Sequence, residues 1–241
     1  MLHAIFSDIH SNLPALDAVL AEADARHADS LLCLGDLVGY GPHPCEVIDR
    51  VRSLDCPVVA GNHDRAAVEL LDSSCFNVCA RRAIEWTARR LDADRKQYLA
   101  RLPLTLEDGG ISAVHGTRDE PEEFLYLKTT QEAGVLMRSQ RQFLEVFGHT
   151  HVPLSFLRQN GGTTRSFSRD LDLREVDRAL VNVGSVGQPR DEDTRATFVL
   201  FDDERRHLEI CRVPYDIERV SAEIIAAGLP ALLSERLRFG F

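Results

Sequence analysis

An α/β fold is what this 241-residue chain predicts, and three observations lead there. Over the first 60 residues, short apolar runs alternate with stretches whose apolar residues recur at helical spacing. Such alternation of strand and helix builds a mostly parallel sheet through right-handed crossovers. After His151 the pattern changes to short strands separated by turns, which predicts a second, antiparallel sheet added to the first. The length and a hydrophobic content of 44% match one α/β domain, residues 1–241, with a full core.

Residues 2–6 read as a buried strand. Asn12 to His27 reads as a helix: Asn12 caps it, Pro14 sits in the first turn, and Leu13, Leu16, Val19, Leu20 and Ala23 share a face. A strand at 31–34, a glycine- and proline-rich loop at 39–44, a helix at 45–53 and a strand at 57–60 follow. Residues 64–101 read as helical in two or three pieces, with Arg81-Arg82 and Arg89-Arg90 on solvated faces. Strands near 104–107 and 111–114 flank Asp108-Gly109-Gly110, a tight-turn signal. A polar stretch at 117–123, an apolar one at 124–127 and a helix through Thr130–Arg138 lie between two clusters of ligand-type residues. Segment 117–141 is therefore the expected rim of a site. Strands are expected at 153–158, 164–168, 179–183, 195–201 and 206–213, then closing helices at 215–227 and 230–237.

A net charge of −10 argues against a polyanion-binding surface, so nucleic acid is not an expected partner. No apolar run approaches the ~18 residues of a membrane helix. The N-terminus enters a strand with no basic leader, so neither a signal peptide nor a membrane partner is expected. The six cysteines are scattered and form no CxxC pair. Reduced, structural thiols in a cytoplasmic protein are expected, not disulfides or a structural zinc site.

Five apolar runs end on polar side chains of one kind. Residues 2–6 lead to Asp8 and His10, residues 31–34 to Asp36, and residues 56–60 to Gly61-Asn62-His63-Asp64 on a loop. Residues 111–114 lead to His115, and residues 143–147 to His149 and His151. Sites in open α/β sheets form beyond the carboxyl ends of strands, so these side chains are expected to converge. Asp8/His10 and His149/His151 are each two apart, a spacing that puts both side chains on one side of an extended segment. Imidazole, carboxylate and one amide oxygen without thiolate suit Mn, Fe or Zn, with Ni or Co as substitutes. The set is about twice what one catalytic ion takes. That surplus predicts two divalent metal ions about 3.5–4 Å apart.

The ordered series Asp8-x-His10, Gly35-Asp36, Gly61-Asn62-His63-Asp64, His115-Gly116 and Gly148-His149-x-His151 resembles the signature of calcineurin-like metallophosphoesterases, over roughly residues 5–190. Residues 182–190 resemble a run found late in small bacterial and archaeal phosphodiesterases of that group. The resemblance implies a four-layer α/β/β/α sandwich, two mixed β-sheets flanked by helices. It implies one ion on Asp8, His10, Asp36 and His151, and a second on Asp36, Asn62, His115 and His149, with Asp36 shared. It also implies that His63 stands beside the scissile group, where it protonates or stabilises the leaving oxygen.

Asn62, His63, Arg118 and Arg190 are the expected phosphate contacts, with a surface salt bridge the open alternative for each of the two arginines. The glycines of 184–187 either cradle a phosphate or make a tight turn, and Asp64 either orients His63 or caps the following helix. His43 reads as a surface-loop residue, and His3, His27 and His207 as structural.

The expected activity is a dinuclear metal-dependent phosphoesterase in which a hydroxide bridging the metals attacks phosphorus in line. Small nucleotide-like diesters are the first choice of substrate. A phosphomonoesterase or dinucleoside-polyphosphate hydrolase stays open at this point, as does a non-catalytic metal-binding scaffold.

Overall fold

The computed structural model describes residues 1–241. Its first part runs β1 (Leu2–Phe6), α1 (Leu13–Ala25), β2 (Ser30–Cys33), α2 (Pro44–Arg52), α3 (Asn62–Ala67), α4 (Val78–Arg90) and α5 (Ala93–Arg101). The middle holds β3 (Thr105–Asp108), β4 (Ile111–Val114), α6 (Thr130–Ser139) and β5 (Leu144–Phe147). Then come β6 (Leu154–Gln159), β7 (Gly162–Ser166), β8 (Asp170–Asp172), β9 (Arg178–Asn182), β10 (Ala196–Asp202), β11 (His207–Val213), α7 (Ile217–Ala226) and α8 (Ala231–Phe239).

Local chemistry sets the helix starts. Asn12 accepts from the Ala15 amide at 3.2 Å and Pro14 occupies the first turn, so α1 begins where expected. Thr129 and Glu132 form a reciprocal capping box that starts α6.

The strands form two mixed sheets, ordered β2-β1-β10-β11-β8 and β3-β4-β5-β9-β6-β7. The expected division into an early parallel sheet and a late antiparallel one is therefore incorrect. Each sheet is built on a parallel pair, β1/β2 or β4/β5; β10, β11 and β8 complete the first, and β3, β9, β6 and β7 the second. Alternation along the strands explains the layering. In β1, Ile5 points between the sheets with Leu32, Val146, Val181 and Phe201, while Ala4 and Phe6 point outward with Leu16, Val19 and Ile48 of α1 and α2. On the far side, Phe147, Phe156 and Leu180 pack with Ala133 and Met137 of α6. The layers are thus helix, sheet, sheet, helix, which is the expected sandwich.

Two local expectations need correction, and one strand was not expected. Residues 57–60 are not a strand: Val58 makes one parallel bridge to Cys33, and Pro57, with no N–H, contributes only its carbonyl. The short edge strand β8 carries too few residues to show a period in the sequence. Asn62 and His63 lie in the first turn of α3 and not on a loop, because Asp64 caps the Gly61 amide at 3.0 Å. All six cysteines are free thiols, and no helix is long and apolar enough to cross a membrane.

Candidate metal centre

The loops that follow β1, β2, β4 and β5, together with the start of α3, meet at the carboxyl ends of the two parallel pairs. The β1 and β2 loops run side by side, with the Asp8 amide donating to Gly35 O at 3.0 Å and the His10 amide to Asp36 O at 2.9 Å. The β4 and β5 loops join through Gly148 N to His115 O at 3.0 Å. Across the sheets, the His149 amide donates to Asp8 Oδ2 at 3.0 Å. Asp8, His10, Asp36, Asn62, His63, His115, His149 and His151 are all buried there.

Three groups of side chains have ligand atoms within 4.8 Å of one another: Asp8, His10 and His151; Asp36, His115 and His149; and His10, Asp36 and His63. The same-side argument for residues two apart is not how they converge. Asp8, His10, Asp36, His149 and His151 have φ between 49° and 67°, so the backbone there is left-handed and not extended. Such turns at strand ends aim successive side chains into one small volume.

The donor chemistry fits cations. His10, His115 and His151 each set Nδ1 against a backbone carbonyl: Val38 at 3.1 Å, Leu34 at 2.7 Å and Gln188 at 2.6 Å. That contact occupies Nδ1 and turns Nε2 of each ring toward the centre, where a cation would take the place of its proton. His10 Nε2 and His151 Nε2 then oppose each other at 3.1 Å. Asp8 Oδ1, Asn62 Oδ1 and His115 Nε2 are buried with no partner. Buried groups left so are uncommon in native structures unless an ion or water completes them.

The carboxylates and imidazoles also act on one another electrostatically. Burial alone would raise Asp8, but His151 and His115 outweigh it and hold the carboxyl well below its usual range. Burial would lower His115, yet Asp36 and Asp8 outweigh it and push the imidazole up to about 10. Burial takes His149 down to about 3 and His151 down to about 4, and it also lowers His63 against the pull of Asp36. Two buried carboxylates thus sit among imidazoles most of which are held neutral, the state in which they bind metal.

The surroundings include residues that carry no sequence pattern. Tyr40 packs its ring 4.5 Å from both His10 and His63, and its hydroxyl accepts from Arg190 at 3.2 Å. Gly39 leaves the space that the His63 ring fills, since a Cβ there would collide with His63 Nδ1. Ser185 Oγ donates to Asp8 O at 2.9 Å, and Gln188 O receives His151. The Val186 and Gly187 amides donate to Ser7 O and Asp8 O, so this run makes a turn that clamps the β1 loop and is not a phosphate cradle. Isolated loop residues of these types give no periodicity. Only the likeness of residues 182–190 to a known run pointed near them.

Other expectations resolve as follows. Asp64 accepts from Gly61, Leu37 and Val38, tying α3 to the β2 loop, and makes no hydrogen bond to the His63 ring. Arg190 reaches the centre, stacked on Tyr40 with its Nε buried and unpartnered. Arg118 does not: its guanidinium pairs with buried Glu145 of β5 at 3.0 Å and donates to Ser139 O. His43 stands at the start of α2 and meets Glu223 of α7 at 3.1 Å. In the 117–141 segment, Glu122, Glu123, Phe124 and Tyr126 line a cavity of about 470 Å³ beside His63 and His149.

A family model for the calcineurin-like phosphoesterase superfamily domain matches residues 1–206. An uncharacterised protein of Methanocaldococcus jannaschii is 36% identical over 241 residues, covering 98% of this chain and 97% of that protein. The crystal structure of a metallophosphoesterase from Sphaerobacter thermophilus superposes with a TM-score of 0.86 at 38% identity, covering 100% and 99% of the two chains. A hypothetical protein of Pyrococcus horikoshii shares the fold, with a TM-score of 0.83 at 22% identity and coverage of 100% and 98%. The chain belongs to the calcineurin-like phosphoesterase superfamily and is a hydrolase of phosphoric ester bonds.

Proposed function

We propose that this chain is a dinuclear metal-dependent phosphodiesterase acting on small diesters. The observation that supports it most is the set of buried ligand atoms without partners, Asp8 Oδ1, Asn62 Oδ1 and His115 Nε2, beside the opposed nitrogens of His10 and His151. Asp8, His10, Asp36 and His151 would hold one divalent ion and Asp36, Asn62, His115 and His149 the other. When bound, such a pair lowers the pKa of water and neutralises charge on a phosphoryl group.

The chain's own side chains do the rest. The Arg190 guanidinium, held by Gln188 Oε1 at 2.9 Å and by Tyr40, offers its free Nε to a phosphoryl oxygen. His63, wedged between Tyr40 and Phe76, presents an imidazole with no side-chain partner at the cavity floor. It would protonate the leaving oxygen or stabilise it through a ring N–H. A diester is favoured over a monoester because the cavity beside His63 has room for a second ester arm.

The test is reconstitution. Protein stripped with a chelator and reloaded with Mn²⁺, Ni²⁺, Co²⁺ or Zn²⁺ is expected to hold two ions per chain by mass spectrometry of the metals. It is expected to hydrolyse bis(p-nitrophenyl) phosphate faster than p-nitrophenyl phosphate. One ion per chain refutes the dinuclear assignment. Metal-loaded protein inert on every mono- and diester supports a binding scaffold.

A further inference from the structure

The cavity beside the centre has two unlike parts. Asn62, His63 and His149 face it from the metal side, while much of the remaining wall is apolar or aromatic. Phe76, ahead of α4, packs its ring 5.1 Å from that of His63. Tyr126, on the rim, stacks on His149 at 4.2 Å with an interplanar angle of 15°. Leu71 and Phe124 fill the wall around these rings, and the neighbouring Leu70, Val78 and Leu125 are exposed. No lysine or arginine lines the cavity, and its charged side chains are Glu122 and Glu123.

Resting on the phosphodiesterase reading above, we propose that this cavity is a subsite for a flat, uncharged aromatic arm of the substrate, with Phe76 and Tyr126 as its specificity-determining residues. Aromatic rings take up flat ligands by stacking, and this tolerates different ring chemistries. Phosphate held next to His63 and His149 directs one ester arm between the segments that carry Phe76 and Tyr126. Glu122 and Glu123 disfavour an arm that carries further phosphates, because like charges brought together reject a competitor more sharply than lost contacts do. A nucleoside esterified once fits this chemistry, and a polyphosphate chain does not.

Four esters with the same p-nitrophenol leaving group isolate the arm: methyl p-nitrophenyl phosphate, bis(p-nitrophenyl) phosphate, thymidine 5′-p-nitrophenyl phosphate and p-nitrophenylphosphorylcholine. In metal-loaded enzyme, kcat/KM for the two esters with a ring-bearing arm is expected to exceed that for the methyl ester by about tenfold, the scale of one stacked ring. Phe76→Ala is expected to bring that ratio down about fivefold or more. Phe76 is half-buried against the core, so Tyr126→Ala, at an exposed position, gives the same readout without a folding risk. Glu122→Gln with Glu123→Gln is expected to narrow the preference for thymidine 5′-p-nitrophenyl phosphate over diadenosine tetraphosphate. A ratio that survives both aromatic variants overturns the subsite. So does a choline ester that outruns the others, because the aromatic wall and two carboxylates would then be a cation site. Equal rates on all four esters overturn the subsite alone, whereas no hydrolysis of any overturns the phosphodiesterase reading and the subsite with it.

Discussion

Gly61→Ala tests whether the start of α3 exists to hold Asp36 in place. Gly61 has φ −93° and ψ 170°, a region open to any residue, so alanine meets no backbone penalty there. The new Cβ would lie 2.6 Å from Asp36 Cγ and would overlap the Asp36 amide. Carbon atoms rest about 3.5–4.0 Å apart, so the carboxylate or the helix start must retreat by about 1 Å. Overpacking of this kind destabilises by roughly 1–3 kcal/mol. For a chain of this size that is about 2–12 °C of melting temperature. A misplacement of about 1 Å at a reacting centre lowers turnover on the order of 10²-fold. The control is Gly110→Ala in the β3–β4 turn, where φ is 84° and no atom lies within 4 Å. It is expected to destabilise by roughly 1 kcal/mol through the left-handed backbone alone and to leave turnover unchanged. Thermal unfolding and kcat/KM on bis(p-nitrophenyl) phosphate, both in metal-loaded protein, give the two readouts. Parental kcat/KM in Gly61→Ala refutes the reasoning, whatever happens to stability.

Three further outcomes are expected. His63→Asn retains two ions per chain and loses roughly 10²–10⁴ in turnover, the range for a missing general acid; parental turnover would remove His63 from that role. Arg190→Met raises KM by about tenfold or more, the scale of a lost charge-assisted hydrogen bond, and steady-state kinetics with an unchanged KM would return Arg190 to a packing role. Glu145→Gln changes how stability depends on pH. Burial outweighs the nearby Arg118 and pushes the Glu145 carboxyl up to about 7 from its ordinary 4.5. The folded pKa is raised, so this group's stabilisation is complete below about pH 4.5 and is lost as pH rises through 7, by about 3 kcal/mol. Denaturant unfolding at pH 4.5 and pH 8 is therefore expected to show the variant gaining on the parent by about that amount, and equal pH dependence would show that the buried carboxyl does not titrate in this window.

The ligand loops were legible because each apolar run ends abruptly on residues that a core cannot bury without partners. Asp8, Asp36, His115, His149 and His151 need no more than that to be found. Their conformation was not legible: Asp8, Asp36, His149 and His151, and His10 with them, sit on left-handed backbone, which spacing rules for extended chain do not anticipate. The partition of strands between sheets was also hidden. β10 and β11 read as one antiparallel block with β6 and β7, yet they pair beside β1 because sheet membership depends on long-range contacts that strand patterns do not carry. The contacts that Tyr40, Phe76 and Tyr126 make with the histidines went unnoticed for a related reason. A single aromatic ring in a loop has no period, and what it does depends on which imidazole it meets.

The left-handed residues bear on how the centre is kept. Each such position in a non-glycine residue costs on the order of 1–3 kcal/mol and persists only where its surroundings over-determine it. Here the surroundings are backbone hydrogen bonds between loops that are distant in sequence: Asp8 to Gly35, His10 to Asp36, Gly148 to His115 and Gly187 to Asp8. Asp64 adds three backbone donors on one carboxylate, joining α3 to the β2 loop. The ligand side chains are therefore set by a mesh of main-chain contacts that stands apart from whatever they bind. That arrangement accounts for two buried carboxylates and four ligand imidazoles that face one another at the centre. Their mutual cost is carried by a frame that four strand ends and one helix start build together, and it is a cost that cations at the centre would relieve.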